Sequence, residues 1–345
     1  MLRELGHKPV VIDYHNWKRR LRAREPKELM RQLLRLGVER VSGSGKRQRR
    51  SDAFRKEYLS LSALQYRSQD ALYDDPPLLD AYVTGSDQVW NPQNNGFDQA
   101  YFLTFAPQGA RKIAYAASFG ISTLPRRYWG DYRLWISQID HVSVREVDGA
   151  RIVSKVAGVP VEVVLDPTLL IDAYSWRRIS VPPSVSRPYV LCYHVTNDRQ
   201  NALWISNTAQ QVSSITGWSI VVVGRQILPP KGRSVENVAD AGPLDFLGLV
   251  DNASAVVTDS FHGVAFSVTF RKPFFLVLNP DFSRNSRLTH LVAKLGLKTR
   301  LWYSVEPVAL EPEMIELEYK NASSRLAEER RKSWEFLKCA LHGIE

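Results

Sequence analysis

The chain has 345 residues, 44% hydrophobic and 24% charged, a globular composition that excludes a disordered or collagen-like polymer and points to two domains. Two cysteines, Cys192 and Cys339, exclude a disulfide scaffold, and no apolar run approaches the ~20 residues of a membrane span. The net charge of +10 is local: residues 1–60 hold 17 Lys+Arg against 7 Asp+Glu, and the rest is balanced, which argues against a general nucleic-acid-binding surface.

Leu2 to Gly6 reads as the last turn of a helix, closed by Gly6, and Pro9–Asp13 as a short buried strand. An α/β unit opens with strand, loop and helix, so a first strand and loop are expected to be absent, leaving an open strand edge or apolar groove beside Pro9–Asp13. No apolar signal segment follows Met1, so a cytoplasmic location is expected. Residues 26–36 and 51–59 read as helical, joined by the polar link Ser42–Lys46. Leu29, Leu33, Leu34 and Leu36 lie among the charges of this basic stretch, 16–56. Two readings stand for it, a solvated helix face and peripheral attraction to an anionic membrane surface.

From residue 80 strands and helices alternate. Strands are expected at Ala81–Thr84, Lys112–Ser118, His141–Arg145 and Val161–Leu165, with helices at Tyr128–Gln138 and Gly149–Ala157. Residues 172–188, rich in Pro and Ser, read as a linker. A second series follows, with strands at Pro188–Tyr193, Trp218–Val223, Ala255–Thr258 and Pro273–Val277. Helices are expected at Ala202–Ile215, Asp245–Asn252, Val264–Phe270 and Ala322–Leu341. The expected domains are therefore 1–175, 185–320 and a terminal helix, 321–345. The fold class is α/β, with two Rossmann-like domains facing a central cleft, and ligands bind outside the carboxyl ends of such strands.

The polar residues cluster at those strand ends. Thr258-Asp259-Ser260-Phe261-His262-Gly263 delivers hydroxyl, carboxylate and imidazole to the start of a helix, which suits an anion or a proton transfer. The same residues also fit plain helix capping and a core histidine. Arg145 suits a carboxylate or phosphate, or a pair with Glu146. After Gly85, the side chains of Ser86, Asp87 and Gln88 suit sugar hydroxyls, and Trp90 suits either a sugar face or the core. Asp166-Pro167-Thr168 reads as turn chemistry, and His194, ending a strand, ranks below His262. No HxxxH or paired Cys spacing suggests a metal.

Together, Val83–Asn91, Ser143–Glu146, Leu165–Leu169, Val257–Gly263, and Asn285-Ser286-Arg287 followed by Leu295–Leu297 resemble the polysaccharide pyruvyl transferases. The resemblance covers roughly residues 5–300. It implies a GT-B-like fold and transfer of the pyruvyl group of phosphoenolpyruvate to two sugar hydroxyls as a cyclic ketal. The implied acceptor is a lipid-linked saccharide or polysaccharide precursor in the bacterial cytoplasm, in exopolysaccharide or cell-surface polysaccharide synthesis, with no cofactor or metal. Under it His262 is the expected acid or phosphate ligand, Asp87 a base or hydroxyl-orienting group, and Arg145 and Arg287 anion clamps. Ser86, Gln88, Trp90, Asp259 and Ser260 are expected to line the substrate site. Family members begin with a strand, an Asn/Gly-rich loop and a helix before the segment matching Gly6–Tyr14, and this sequence departs from them there. Two alternatives remain: a GT-B glycosyltransferase using a nucleotide sugar, and a truncated paralogue that binds an anionic ligand or partner without turnover.

Overall fold

The computed structural model describes residues 1–15, 43–94, 97–185, 188–195, 198–224, 235–280, 285–302 and 309–344. In chain order the elements begin with a 3-10 turn, Leu2–Leu5, ended by Gly6 at φ 90. There follow β1 (Val11–Tyr14), α1 (Gly43–Tyr58), β2 (Leu61–Tyr66), α2 (Gln69–Asp74), β3 (Ala81–Thr84), β4 (Arg111–Ala117), α3 (Trp129–Ile136), β5 (His141–Val144), α4 (Val147–Val156) and β6 (Glu162–Val163). Then come α5 (Ala173–Arg177), β7 (Tyr189–His194), α6 (Arg199–Thr216), β8 (Ser219–Gly224), β9 (Val235–Val238), α7 (Pro243–Asn252) and β10 (Ala255–Thr258). The chain closes with α8 (Phe261–Thr269), β11 (Phe274–Val277), α9 (Ser286–Lys294), β12 (Leu301–Trp302) and α10 (Lys320–Ala340).

By contact the chain forms two units. Residues 1–15, 58–170 and 328–344 make the first, and 43–57 and 171–327 the second. Every strand pairing in both is parallel.

The second unit has one six-stranded sheet in the order β12-β11-β10-β7-β8-β9. Counted from its own first strand this is 3-2-1-4-5-6, the dinucleotide-fold order, whose direction of winding reverses between β7 and β10. Its strands read as continuous apolar runs because helices cover both faces. Val190, Cys192, Val222, Val257, Phe275 and Val277 form the core with Ile205, Ala209 and Val212 of α6. Burial pushes the Cys192 thiol up to about 12, so this cysteine is a small core hydrophobe.

In the first unit the strands fall into two sheets, β1-β2 and β3-β4-β5-β6. Among the described residues β1 pairs with β2 alone, and Val10 and Val11 beside that edge are 39% and 43% exposed. One shared core still joins the pieces: Ile12, Tyr14 and Tyr66 pack with Tyr82, Leu103 and Phe105. Tyr14 Oη also donates to Asp98 at 2.6 Å. A second core, Trp90, Phe102, Phe119, Tyr132 and Trp135, seats α3 on β4 and β5.

Several expectations change. The described part of the expected link, Gly43–Lys46, is helical: helix α1 runs unbroken from Gly43, with the cations at 46–50 exposed. Its hold on the second unit comes from Arg50, 3.1 Å from Asp245 and 3.5 Å from Asp240. Helix α8 begins at Phe261, three residues before the expected start, because Ser260 caps it. Strands β2, β9 and β12 and helices α2 and α9 were not expected, and α5 forms inside the expected linker 172–188. The expected helix 26–36 lies outside the described residues.

A two-stranded sheet is marginal without added packing. Amides of Val11–Tyr14 and Leu61–Tyr66 are expected to exchange with solvent about tenfold or more faster than those of Arg111–Ala117. Hydrogen-exchange mass spectrometry measures this; equal protection would mean that β1 and β2 fold as one body with β4.

Candidate functional site

In the first unit the polar residues gather at the carboxyl ends of β3, β5 and β6. Gly85 leaves β3 at φ 117, and a Cβ there would overlap the carbonyl oxygen of Tyr115, so the turn needs glycine. Asp87 follows at φ 60, which Asp tolerates. Its carbonyl accepts from Val89 N at 2.8 Å and Ser118 N at 3.0 Å, while its carboxylate is 67% exposed. The turn thus presents a carboxylate outward from a fixed backbone.

Asp166 is the buried anchor beneath. It accepts from Arg145 Nη1 at 2.7 Å, Ser86 Oγ at 2.6 Å, Thr168 Oγ1 at 2.7 Å and Thr168 N at 3.0 Å. The Arg145 side chain is 2% exposed, and its Nη2 reaches Asp87 at 3.4 Å. Its charge is therefore already met by carboxylates, with Glu146 farther off at 4.0 Å. Glu146 serves another turn, accepting from Ser118 Oγ, Phe119 N and Gly120 N. Gln88 Oε1 accepts from Asn91 and Asn94, both at 2.7 Å, and so braces its loop. Trp90 is 0% exposed and stacked on Phe102 at 5.2 Å, so of its two readings the core one holds and it offers no face to a sugar.

In the second unit the register pairs Tyr193 with Thr258. Thr258 Oγ1 donates to the Tyr193 carbonyl at 2.7 Å and accepts from Ser260 N at 3.0 Å. Ser260 Oγ accepts from Gly263 N at 3.3 Å and caps α8. A Cβ on Gly263 would collide with Thr258, so the helix start sits directly on the strand end. His262 lies in that first turn, half-buried, its ring edge-on to Phe261 at 5.5 Å. Asp259 is not on the surface of this loop: it is buried, accepts from Val195 N at 2.9 Å and lies 2.9 Å from His194 Nδ1. Arg287 lies, half-buried, in the first turn of α9.

Helix α1 adds positive charge at the same edge. Arg50 grips the start of α7 through Asp245, and the Tyr193 ring packs, tilted, against Phe246 of α7 at 4.5 Å. Burial raises the Tyr193 phenol above its ordinary range, with the Arg47 charge opposing and Asp259 adding to the rise. Among the described residues, no three His, Cys, Asp or Glu side chains cluster as a metal site, and no helix is long and apolar enough to cross a membrane.

Sequence reasoning missed the anchoring role of Asp166 and the pairing of His194 with Asp259. The signal for the second was present, since each residue stands just at or past a strand end. The missing knowledge was that those two strands are neighbours.

The sequence matches the polysaccharide pyruvyl transferase family model over residues 1–281. The chain belongs to that family. Ser86, Asp87, Arg145, Asp166 and the 258–263 loop all lie inside the matched span. No protein of curated function matches the sequence. Solved structures with similar folds include the S. aureus MnaA–UDP complex, at 11% identity over 85% of this chain and 89% of that one, TM-score 0.44. Arabidopsis thaliana UGT89C1 is 11% identical over 87% of each chain, TM-score 0.45. The glycotransferase of kitacinnamycin is 15% identical over 63% of this chain and 61% of that one, under two thirds of its length, TM-score 0.35. None of these scores reaches 0.5.

Removing one partner of a buried ion pair costs about 3–5 kcal/mol, because the other charge stays buried. Arg145→Ala is expected to lose stability on that scale, read as a lower urea midpoint. A substitution at the exposed Asp87, Asp87→Asn, is expected to leave the midpoint unchanged. A stable Arg145→Ala variant would mean that the guanidinium is held for a ligand rather than for Asp166.

Proposed function

We propose that this chain transfers the pyruvyl group of phosphoenolpyruvate to two hydroxyls of a saccharide in a polysaccharide precursor, forming a ketal. The observation that carries this reading is the family match over residues 1–281, within which an imidazole stands in the first turn of a capped helix at a parallel strand end. A helix start favours anions through its N–H groups and dipole, and imidazole exchanges protons near neutral pH.

The donor carries a phosphate and a carboxylate. Arg287 and Arg47, both of the second unit, are assigned to these charges, and Ser260 to shaping the helix start. His262 is assigned as the acid that protonates the C3 methylene, which makes C2 electrophilic. In the first unit Asp87 is assigned to orienting or deprotonating an acceptor hydroxyl, with Arg145 and Ser86 holding its turn through Asp166. No cofactor enters this scheme.

Isothermal calorimetry with phosphoenolpyruvate and with a nucleotide sugar tests the donor. Binding of the first is expected; binding of the nucleotide sugar alone would make the chain a glycosyltransferase. His262→Ala is expected to keep phosphoenolpyruvate affinity and lose about 10²–10⁴-fold in turnover. His262→Gln can donate a hydrogen bond but no proton, so it should be equally slow. A Gln variant near wild-type rate would reduce His262 to a phosphate ligand.

A bacterial cytoplasmic location, at the inner face of the membrane, completes the proposal, with a lipid-linked acceptor. The stretch 16–56 supplies the attraction, and its described part, α1, exposes Lys46, Arg49 and Lys56 besides Arg47. Each such cation near an anionic bilayer contributes about 1 kcal/mol and is screened over ~8 Å at physiological salt. Binding to vesicles containing phosphatidylserine is expected to fall steeply as salt rises. Salt-insensitive binding, or none, would remove the membrane from the proposal.

A further inference from the structure

Between β7 and β10 the second unit's sheet reverses its winding, and the connections leaving those two strands diverge. In open α/β sheets that divergence opens a crevice above the strand ends. Here the two strands deliver His194 and Asp259 to the same level, one residue beyond the Tyr193–Thr258 pair. His194 Nδ1 lies 2.9 Å from Asp259 Oδ2, with the two side chains 4% and 2% exposed. The other oxygen, Oδ1, takes Val195 N at 2.9 Å, so the carboxylate is held in place. The two groups are in close contact, although the placed ring N–H does not meet the geometry of a hydrogen bond. With Nδ1 turned to the carboxylate, Nε2 is the ring nitrogen that remains for a reacting group. Three residues after Asp259 comes His262, in the first turn of α8.

A buried ion pair is seldom worth more to stability than well-packed apolar side chains of the same volume. An imidazole backed by a carboxylate has instead a definite chemical use: the carboxylate fixes the ring and stabilises the imidazolium while it holds a proton. The proposed reaction, on which this inference rests, needs such a group. Two O–H bonds of the acceptor break and two C–O bonds form at C2 of phosphoenolpyruvate. The C2–O bond to phosphorus-bearing oxygen breaks, its electron pair leaving on the phosphate. The electron pair of the C=C bond forms one new C–H bond at C3. Of the two hydroxyl protons, one equivalent ends on C3 and the other on the departing phosphate. His262 accounts for one transfer.

We propose that His194, held by Asp259, carries the second proton, taking it from an acceptor hydroxyl at Nε2 and passing it to the phosphate oxygen that leaves. His194 is then a catalytic residue and Asp259 a positioning residue rather than a substrate ligand.

Phosphate release from phosphoenolpyruvate with a saccharide acceptor, calorimetry of phosphoenolpyruvate, and nitrogen NMR of the His194 ring test this together. His194→Gln is expected to lose about 10²–10⁴-fold in kcat. Its phosphoenolpyruvate affinity should stay within about threefold of wild type, since proton transfer rather than binding is removed. Asp259→Asn is expected to lower kcat with little change in KM and to shift the His194 nitrogen signals from the Nδ1–H tautomer of the wild type. If either variant fails to fold, the wild-type NMR spectrum still decides, because an Nε2–H tautomer would overturn the pairing. His194→Gln at near wild-type rate, or with affinity falling in step with rate, overturns the proton-carrier role and leaves the pyruvyl-transfer reading intact. A wild-type protein that neither binds nor consumes phosphoenolpyruvate overturns both.

Discussion

The pairing of β7 with β10 is the interaction on which the second unit's chemistry depends. Four register pairs, from Ala255↔Val190 to Thr258↔Tyr193, bring two strands together that are separated in sequence by two helices and two further strands. Parallel pairing sends both chains out at the same edge, so the residues that follow must meet there. Thr258 then ties the two ends side by side through the Tyr193 carbonyl, and Asp259 ties them again through Val195 N. The position of His194 and the direction in which α8 starts both follow from that double tie. A shift of one residue along the register would turn His194 and Asp259 to opposite faces.

The two units meet a common problem, burying polar groups beside strand ends, in different ways. In the first, a guanidinium sits among carboxylates, and Asp166 satisfies a guanidinium, two hydroxyls and a backbone N–H. That arrangement is cross-braced by short contacts, and its outward product is the Asp87 carboxylate. In the second, the buried pair is one imidazole and one carboxylate, whose charge can change with a single proton. The braced cluster suits orientation, and the titratable pair suits proton transfer.

Much of the architecture was legible in the sequence because fully covered parallel strands are uninterrupted apolar runs. Ala255–Thr258, buried at every residue, falls at the expected positions, and Gly6 ends its turn in the left-handed conformation expected of it. Where strands are not fully covered the signal failed. Leu61–Tyr66 has one buried residue and is a strand because β1 lies beside it; Val235–Val238 is a short edge strand with none. Glycine at 43 and 45 reads as a break, since it weakens a helix by about 1 kcal/mol against alanine. Docking through Arg50 accompanies the continuous helix that the local signal does not predict.

The candidate site divides along the same line. The motifs around Asp87, Arg145, Asp166 and His262 stand out in the sequence because hydroxyls, carboxylates and imidazole follow directly on apolar runs. What each side chain touches does not stand out. Arg145 reads as a clamp until Asp166 is found 2.7 Å away, and Trp90 reads as a platform until Phe102 covers it. His194 and Asp259 lie 65 residues apart in sequence and 2.9 Å apart in space. The sequence determines which groups reach the ends of strands, because that depends on short stretches of chain. Which of those groups become partners depends on strand order, which is set by packing between distant segments and is written in no single stretch.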